Sequence, residues 1–454
     1  MVKNNVNVIL ITVDCLRADH LNCYGYERKT MPFIDYLSTQ GVKFENVFAT
    51  GHSTPITFPS IFASVYPLEL TSWLPLPQDI VLVSEILRQK GVKTAAVHSN
   101  PYLSSFYGYN RGWDYFQDFL ENENKHIKQF LVRKKLRNLI RKCTSERTQK
   151  SIRELRHCIK ILCNLEQHPY ELASTITNCA LFWLNKNKDS QFFLWIHYMD
   201  AHEPYWIRIG DNFEQKYSRG LSKFSRISIL RDNMRGRLRQ KTVQRMIDVY
   251  DDKLRYIDAN LKKLFDFLDE KKLLDNTYII FTADHGQEFL EHGGLFHKAP
   301  FLYDEILHVP LILIGPDIEK YVDKNLISQI DIAPTILDLF MLPSPKFYRG
   351  LSVLSTSIRK RKYVISEAVK SGYRTYAIRT EKWKLIYNPK RQELYDLERD
   401  PKETKNVKDE EKEEYKNLLA ILNRHILWEE KIRIQRATIL EKQRIIRKLR
   451  KIRF

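Results

Sequence analysis

Residues 7–26 read NVILITVDCLRADHLNCYGY, and the chain is organised around the break in the middle of that stretch. Residues 8–13 are Val, Ile, Leu and Thr, apolar to both sides. A central strand of a parallel sheet has that character, because helices cover both its faces. The run stops at Asp14, with Arg17, Asp19 and His20 behind it. Ligands of open α/β sheets collect at the carboxyl ends of such strands. Asp14 is therefore a candidate functional group as well as a candidate helix cap. Far down the chain the pattern repeats: residues 278–282, YIIFT, run into Ala283-Asp284-His285-Gly286. Two apolar strands ending in Asp and in Asp-His bring three hard or borderline metal ligands to one sheet edge.

Other segments fit around this pair. Residues 43–50 alternate like a strand and lead into 51–60, GHSTPITFPS, a cluster of hydroxyls and prolines. Such a cluster is either a helix cap or a nucleophile presented at a helix start, where a metal and the helix dipole activate it. An amphipathic helix at 80–91, a strand at 93–98 and a polar turn holding Asn100 give the rhythm of a doubly wound fold. Residues 191–198, QFFLWIHY, form another buried strand, and His202 in the loop beyond it is a candidate general acid or anion ligand. A long helix is expected over 243–272, with Asp251, Asp252 and Asp258 on its polar faces. His292, His297 and Lys298 follow the second ligand strand within reach of the same edge. From residue 361 onward, short strands at 376–379, 383–387 and 393–397 suit a small antiparallel sheet.

The expected architecture is an α/β fold with a large, mostly parallel sheet sandwiched by helices and a small C-terminal antiparallel subdomain. Residues 1–345 form the α/β domain, with a basic helical insert at 121–167. Residues 346–410 form the small subdomain, and 411–454 a basic helical tail. The formal charge of +19 sits mainly in two places. Residues 125–160 carry 13 Lys or Arg against two Glu, and 431–454 carry ten against one Glu. These segments are solvated faces or contacts with an anionic surface, including a peripheral one at a membrane. They lack the motifs of sequence-specific nucleic-acid readers. No apolar run reaches bilayer length, no cleavage site marks a signal peptide, and six cysteines without zinc spacing read as reduced thiols. A cytoplasmic enzyme is the expectation.

Five motifs in order carry a resemblance: VDCLRADHLNCYGY at 13–26, HYMDAHEPY at 197–205, YDDKLRYID at 250–258, TADHGQEFLEHG at 282–293 and ELYDLERDPKETKN at 393–406. Together they resemble the sulfatase family of the alkaline phosphatase superfamily, from residue 6 to about residue 406. The resemblance implies that Asp14, Asp284 and His285 hold one divalent ion (Mn, Zn, Mg or Ca). It implies that His202 and Lys298 contact the ester or its leaving group, and makes Asn100 and His297 substrate-binding candidates. Arg379, Trp383 and Glu393 match the family's small C-terminal subdomain. Two departures stand out. No Cys or Ser lies in the C/S-x-P-x-R setting that yields formylglycine; the nucleophile position falls on Thr54, with Thr57 as the alternative if a gap is allowed. The second of two Asp residues often present after the first strand is here Cys15.

A threonine hydroxyl needs a metal to act at neutral pH. It cannot follow the elimination route by which a formylglycine hydrate releases sulfate. The sequence expectation is therefore an ester hydrolase or transferase preferring phosphate monoesters or diesters. True sulfuric ester hydrolysis is the alternative, and a non-catalytic anion-binding homologue the second alternative. The partner in each case is a sulfated or phosphorylated small molecule, glycan or lipid head group.

Overall fold

The structure, a computed structural model, describes residues 6–120, 145–163, 165, 168–207, 213–236, 238–297, 302–370 and 373–452. In chain order the main body runs β1 (Asn7–Val13), α1 (Pro32–Leu37), β2 (Val42–Phe48), α2 (Thr54–Ala63), α3 (Val83–Gln89), β3 (Lys93–Val97) and β4 (Tyr115–Gln117). It continues with α4 (Glu146–Leu162), α5 (Ala173–Asn187), β5 (Phe192–Tyr198), α6 (Lys223–Arg235), α7 (Gln240–Glu270) and β6 (Thr277–Ala283). A two-stranded hairpin of β7 (Glu288–Phe289) and β8 (Leu295–Phe296) precedes α8 (Asp304–Leu307), β9 (Leu311–Ile314), β10 (Tyr321–Ser328) and α9 (Ile332–Leu339).

Eight of these strands form one sheet in the order β10-β2-β9-β6-β1-β5-β3-β4. Every neighbouring pair is parallel except those made by β9, which runs antiparallel to β2 and β6. All seven residues of β1, β5 and β6 are buried, as strands covered on both faces must be. On one face Trp195 packs against Phe58, Phe62 and Trp113 with ring centroids 4.8–6.0 Å apart. Its indole N–H donates to Thr12 Oγ1 at 2.9 Å, so the large ring is buried without an orphaned donor.

Helix α7 corrects one expectation. Asp251, Asp252 and Asp258 are buried, although a helical wheel puts them on polar faces. Segments crossing the helix supply their partners. Asp258 accepts the backbone N–H groups of Phe33 and Ile34 and so caps α1, whose own N-cap residue Met31 has no acceptor side chain. Asp252 accepts N–H groups from Lys216, Tyr217 and Ser218. Asp251 meets His20, Tyr26 and Arg28 from the segment after β1. The three acids fix long irregular connections that have little apolar pattern of their own.

Beyond the main body, β11 (Val364–Lys370), β12 (Tyr373–Arg379), β13 (Trp383–Asn388) and β14 (Arg391–Asp396) form an antiparallel meander. Helix α10 (Lys412–Ile452) follows. Leu418 and Leu422 of α10 are buried in a cluster with Ile365, Tyr376, Ile378, Leu385 and Leu394, so the first part of the basic tail packs on this sheet. Of the basic insert, 121–144 lie outside the described residues, and Glu146–Leu162 is helical.

Candidate active site at the carboxyl edge of the sheet

The parallel arrangement gathers five strand ends at one edge. Val13 pairs with both Tyr198 and Ala283, so the residues after β1, β5 and β6 emerge at one level. Asp14 N–H extends the ladder to the Tyr198 carbonyl at 2.9 Å. β2 ends at Phe48 and the chain turns through Ser53 into α2, whose first residue is Thr54. Pro55 in the first turn needs no N–H partner there. The helix start points at the cluster and favours negative charge.

Thr54 Oγ1 lies 2.8 Å from Asp284 Oδ2, 3.2 Å from Asp14 Oδ2 and 3.5 Å from His285 Nε2. The Thr57 hydroxyl instead turns back on its own helix, 3.4 Å from the carbonyls of Ser53 and Thr54. Asn100 Nδ2 donates to Asp14 Oδ2 at 3.0 Å. His285 contacts the Gly286 carbonyl through Nδ1 at 2.8 Å. A carbonyl only accepts, so Nδ1 carries the proton and the Nε2 lone pair faces the carboxylates, the tautomer a metal ligand needs.

Asp14, Asp284 and His285 are all fully buried, and no Lys or Arg pairs with either carboxylate among the described residues. The two anions respond in opposite directions. Burial and then the charge of Asp14 push Asp284 up to about 8. Burial also penalises ionised Asp14, yet the His197 contact and nearby imidazoles hold it well below the usual carboxylate range. Two buried carboxylates of which only one ionises readily form a site short of positive charge, which a divalent cation supplies. Two carboxylates, an imidazole and a hydroxyl converging within contact distance fit such an ion.

Above this cluster opens a cavity of about 300 Å³ lined by Thr54, Asn100, Tyr102, Tyr170, His202 and His297, among others. His202 Nδ1 donates to the Glu203 carbonyl at 2.8 Å, leaving Nε2 to accept or give a proton in the cavity. The His297 ring sits 5.1 Å from that of His202 and 4.8 Å from that of His285. Burial and the two neighbouring imidazoles hold His297 well below its ordinary range, so it is neutral. Lys298 lies outside the described residues.

Several residues at the site lie outside the candidates the sequence singles out, although His197 and Lys253 fall within the motifs at 197–205 and 250–258. His197 hides in an apolar strand, yet its Nε2 stands 3.5 Å from Asp14 Oδ2 and its Nδ1 2.9 Å from Thr12 Oγ1. A histidine in an otherwise unbroken buried strand was the available clue. Lys253 of α7 is buried; its ammonium donates to Tyr170 Oη and to the carbonyls of His202 and Pro204, fixing the His202 loop. Burial, against the pull of Asp200, lowers its pKa to about 8. Gln329 donates to the carbonyls of Ala283 and Asp284 and accepts from Thr50 N–H, tying the ends of β6 and β2 together. Cys15, read as an absent carboxylate, is buried inside the cluster.

Comparison with known proteins agrees with this fold. The "Sulfatase" family model matches residues 6–342, and the model "N-sulphoglucosamine sulphohydrolase, C-terminal" matches 291–431. Human arylsulfatase K is 24% identical over 444 residues, covering 88% of this chain and 78% of its own. A solved structure holding its substrate D-glucosamine-2-N,6-O-disulfate superposes with a TM-score of 0.70 at 19% identity, covering 94% of this chain and 99% of the other. The phosphonate monoester hydrolase of Agrobacterium radiobacter gives 0.68 at 18% identity, with 95% and 96% covered. With the parallel sheet, the acids and imidazole at its carboxyl edge and a family match across most of its length, the chain belongs to the sulfatase family of hydrolases.

Proposed function

We propose that this protein hydrolyses a sulfuric ester, with Thr54 as the attacking group. The observation that carries the reading is the position of Thr54 Oγ1, in contact with Asp14, Asp284 and His285 at the floor of the cavity. The phosphate preference expected from a threonine gives way here to the sulfate alternative, which the family match and the arylsulfatase relatives support. The nucleophile decides how the covalent intermediate is broken, and the cavity decides which ester enters. Among the described residues the lining holds imidazoles, amide and phenol groups and the Glu203 carboxylate, but no Lys or Arg. A sulfate monoester brings one negative charge, whereas a phosphate monoester brings close to two at neutral pH. A cavity whose described lining has no Lys or Arg favours the former.

A divalent ion held by Asp14, Asp284, His285 and Thr54 would lower the proton affinity of the threonine hydroxyl and offset charge on the transferred group. Thr54 gives its hydroxyl proton to Asp284 Oδ2, 2.8 Å away, as Oγ attacks sulfur and the bond from sulfur to the ester oxygen breaks; the proton returns from Asp284 when the bond from sulfur to Thr54 is broken in turn. His202 Nε2, open to the cavity, gives its proton to the departing oxygen. The same imidazole then takes a proton from water, which attacks sulfur and returns the electron pair to Thr54. Asn100 holds Asp14 in place during both steps. The substrate class is a sulfated small molecule or glycan, by likeness to the relative and neighbour above.

A kcat/KM comparison of 4-nitrophenyl sulfate, phosphate, methylphosphonate and a phosphodiester, with Mn²⁺, Zn²⁺, Mg²⁺ and Ca²⁺ in turn, tests the reading. Sulfate turnover above phosphate turnover is expected. The reverse order would return the protein to the phosphoryl-transfer branches.

A further inference from the structure

Cys15 directly follows Asp14 beyond the end of β1, and its sulfur points into the cluster. Sγ is 2.9 Å from Asp14 Oδ1, 3.6 Å from His297 Nδ1 and 3.9 Å from His285 Nδ1. Ligand atoms of Asp14, Cys15 and His285 all lie within 4.8 Å of one another, and so do those of Cys15, His202 and His297. The backbone holds the residue there against its own preference. Its φ is +60°, a region that non-glycine residues seldom enter. The conformation is kept by Cys15 N–H donating to Asp284 Oδ1 at 3.3 Å and by its carbonyl accepting from Tyr250 Oη at 2.9 Å. Strain of this kind persists where the surroundings over-determine it, and it gathers at functional sites. A cysteine that only fills space sits among apolar neighbours. This one faces a carboxylate and two imidazoles.

We propose that Cys15 is a ligand of the divalent cation, and that the centre therefore selects a borderline cation such as zinc over calcium or magnesium. Calcium wants six to eight oxygens and magnesium an oxygen octahedron. The described donors are two carboxylates, one hydroxyl, one imidazole and one thiol, a small mixed O/N/S set that suits zinc or cobalt. Coordination releases the thiol proton to solvent and leaves the thiolate on the ion. The inference rests on the cation centre proposed above and adds its fifth donor and its selectivity.

The test uses full-length protein stripped with a chelator and titrated with Co²⁺, read by equilibrium dialysis and absorption, alongside Cys15→Ser, Cys15→Asp and Asp284→Asn. The wild type is expected to bind cobalt with a sulfur-to-cobalt charge-transfer band in the near ultraviolet. Cys15→Ser should lose the band and bind Zn²⁺ about 100-fold or more weakly, because loss of a ligand exceeds the 10–100-fold effect of losing a supporting residue. Cys15→Asp should bind cation without the band and shift the preference toward Ca²⁺. X-ray absorption at the zinc edge of the wild type reads the same contact without any variant, as a sulfur shell at about 2.3 Å. Cobalt that is lost in Asp284→Asn but shows no band, or a band unchanged in Cys15→Ser, overturns the thiolate ligand while leaving the centre standing. No bound cobalt at all overturns the centre and this inference together.

Discussion

At the scale of single residues, the site is governed by two buried carboxylates that meet across the Thr54 hydroxyl. Asp284 is pushed up to about 8 in the cation-free protein, so over most of the neutral range it holds a proton that an incoming ion must displace. Cation affinity is therefore predicted to rise roughly 100-fold per pH unit from about 6 to about 8, where Asp284 and the Cys15 thiol each give up a proton to binding, and roughly tenfold per unit above that, where the thiol alone does, as titration calorimetry can show. The stability consequence has the opposite sign. A carboxyl with a raised folded pKa stabilises the fold in its protonated form, and that contribution fades as pH climbs from the usual carboxylate range through about 8. Stripped protein should thus lose thermal stability over that window while loaded protein does not. His202 gives a second prediction. His202→Gln should lower kcat about 100-fold on an alkyl sulfate, whose leaving oxygen needs a proton, and far less on nitrophenyl sulfate.

Asp14, Asp284 and His285 were legible as polar residues ending apolar strands, and Thr54 and His202 as neighbours at the same edge. His197, Lys253 and the ligand-like sulfur of Cys15 were not. Their meaning depends on which strand lies next to which and on where a +60° φ aims a side chain. Neither is written in local pattern.

At the scale of elements, the strands that build the centre of the sheet were readable because burial on both faces leaves no alternation to interpret. β10 was not, since its outer residues Tyr321 and Val322 are exposed at the sheet edge and a register shift follows Asp323. α6 is not legible either, because Lys223–Arg235 lies in a basic stretch with weak apolar pattern. The small sheet is joined to the main body by charge. Buried Lys384 reaches Asp304 at 2.7 Å and Glu403 at 2.6 Å, and Arg379 meets the other oxygen of Asp304 at 2.6 Å. Removing one partner of a buried pair strands the others without solvent. Lys384→Met is predicted to destabilise the fold by about 3 kcal/mol in denaturant titration, with kcat unchanged in the molecules that remain folded.

At the scale of the whole molecule, the basic tail has two parts that the sequence could not separate. Its part up to Arg436 is structural: Leu418 and Leu422 are buried, His425 contacts Glu367 at 2.7 Å and Arg436 pairs with Asp79 at 2.7 Å. Ile434 and Ile439 are exposed. Removing residues 441–454 should leave melting temperature and turnover unchanged, whereas removing everything from 412 should uncover the Leu418–Leu422 contacts and lower the melting temperature by several degrees. No described helix is long and apolar enough to cross a membrane. Any contact of the tail with an anionic surface is proposed to run through its basic residues, and vesicle co-sedimentation of the two truncations reads that directly.

The account stands on Thr54 as the group that attacks sulfur, and the most direct measurement is steady-state hydrolysis of 4-nitrophenyl sulfate by wild type, Thr54→Ala, Thr54→Ser and Thr57→Ala, each with its bound cation quantified. Thr54→Ala should lose at least about 10³-fold in kcat, Thr54→Ser should retain measurable turnover, and Thr57→Ala should stay near wild type. Undiminished turnover by a cation-loaded Thr54→Ala enzyme would contradict it.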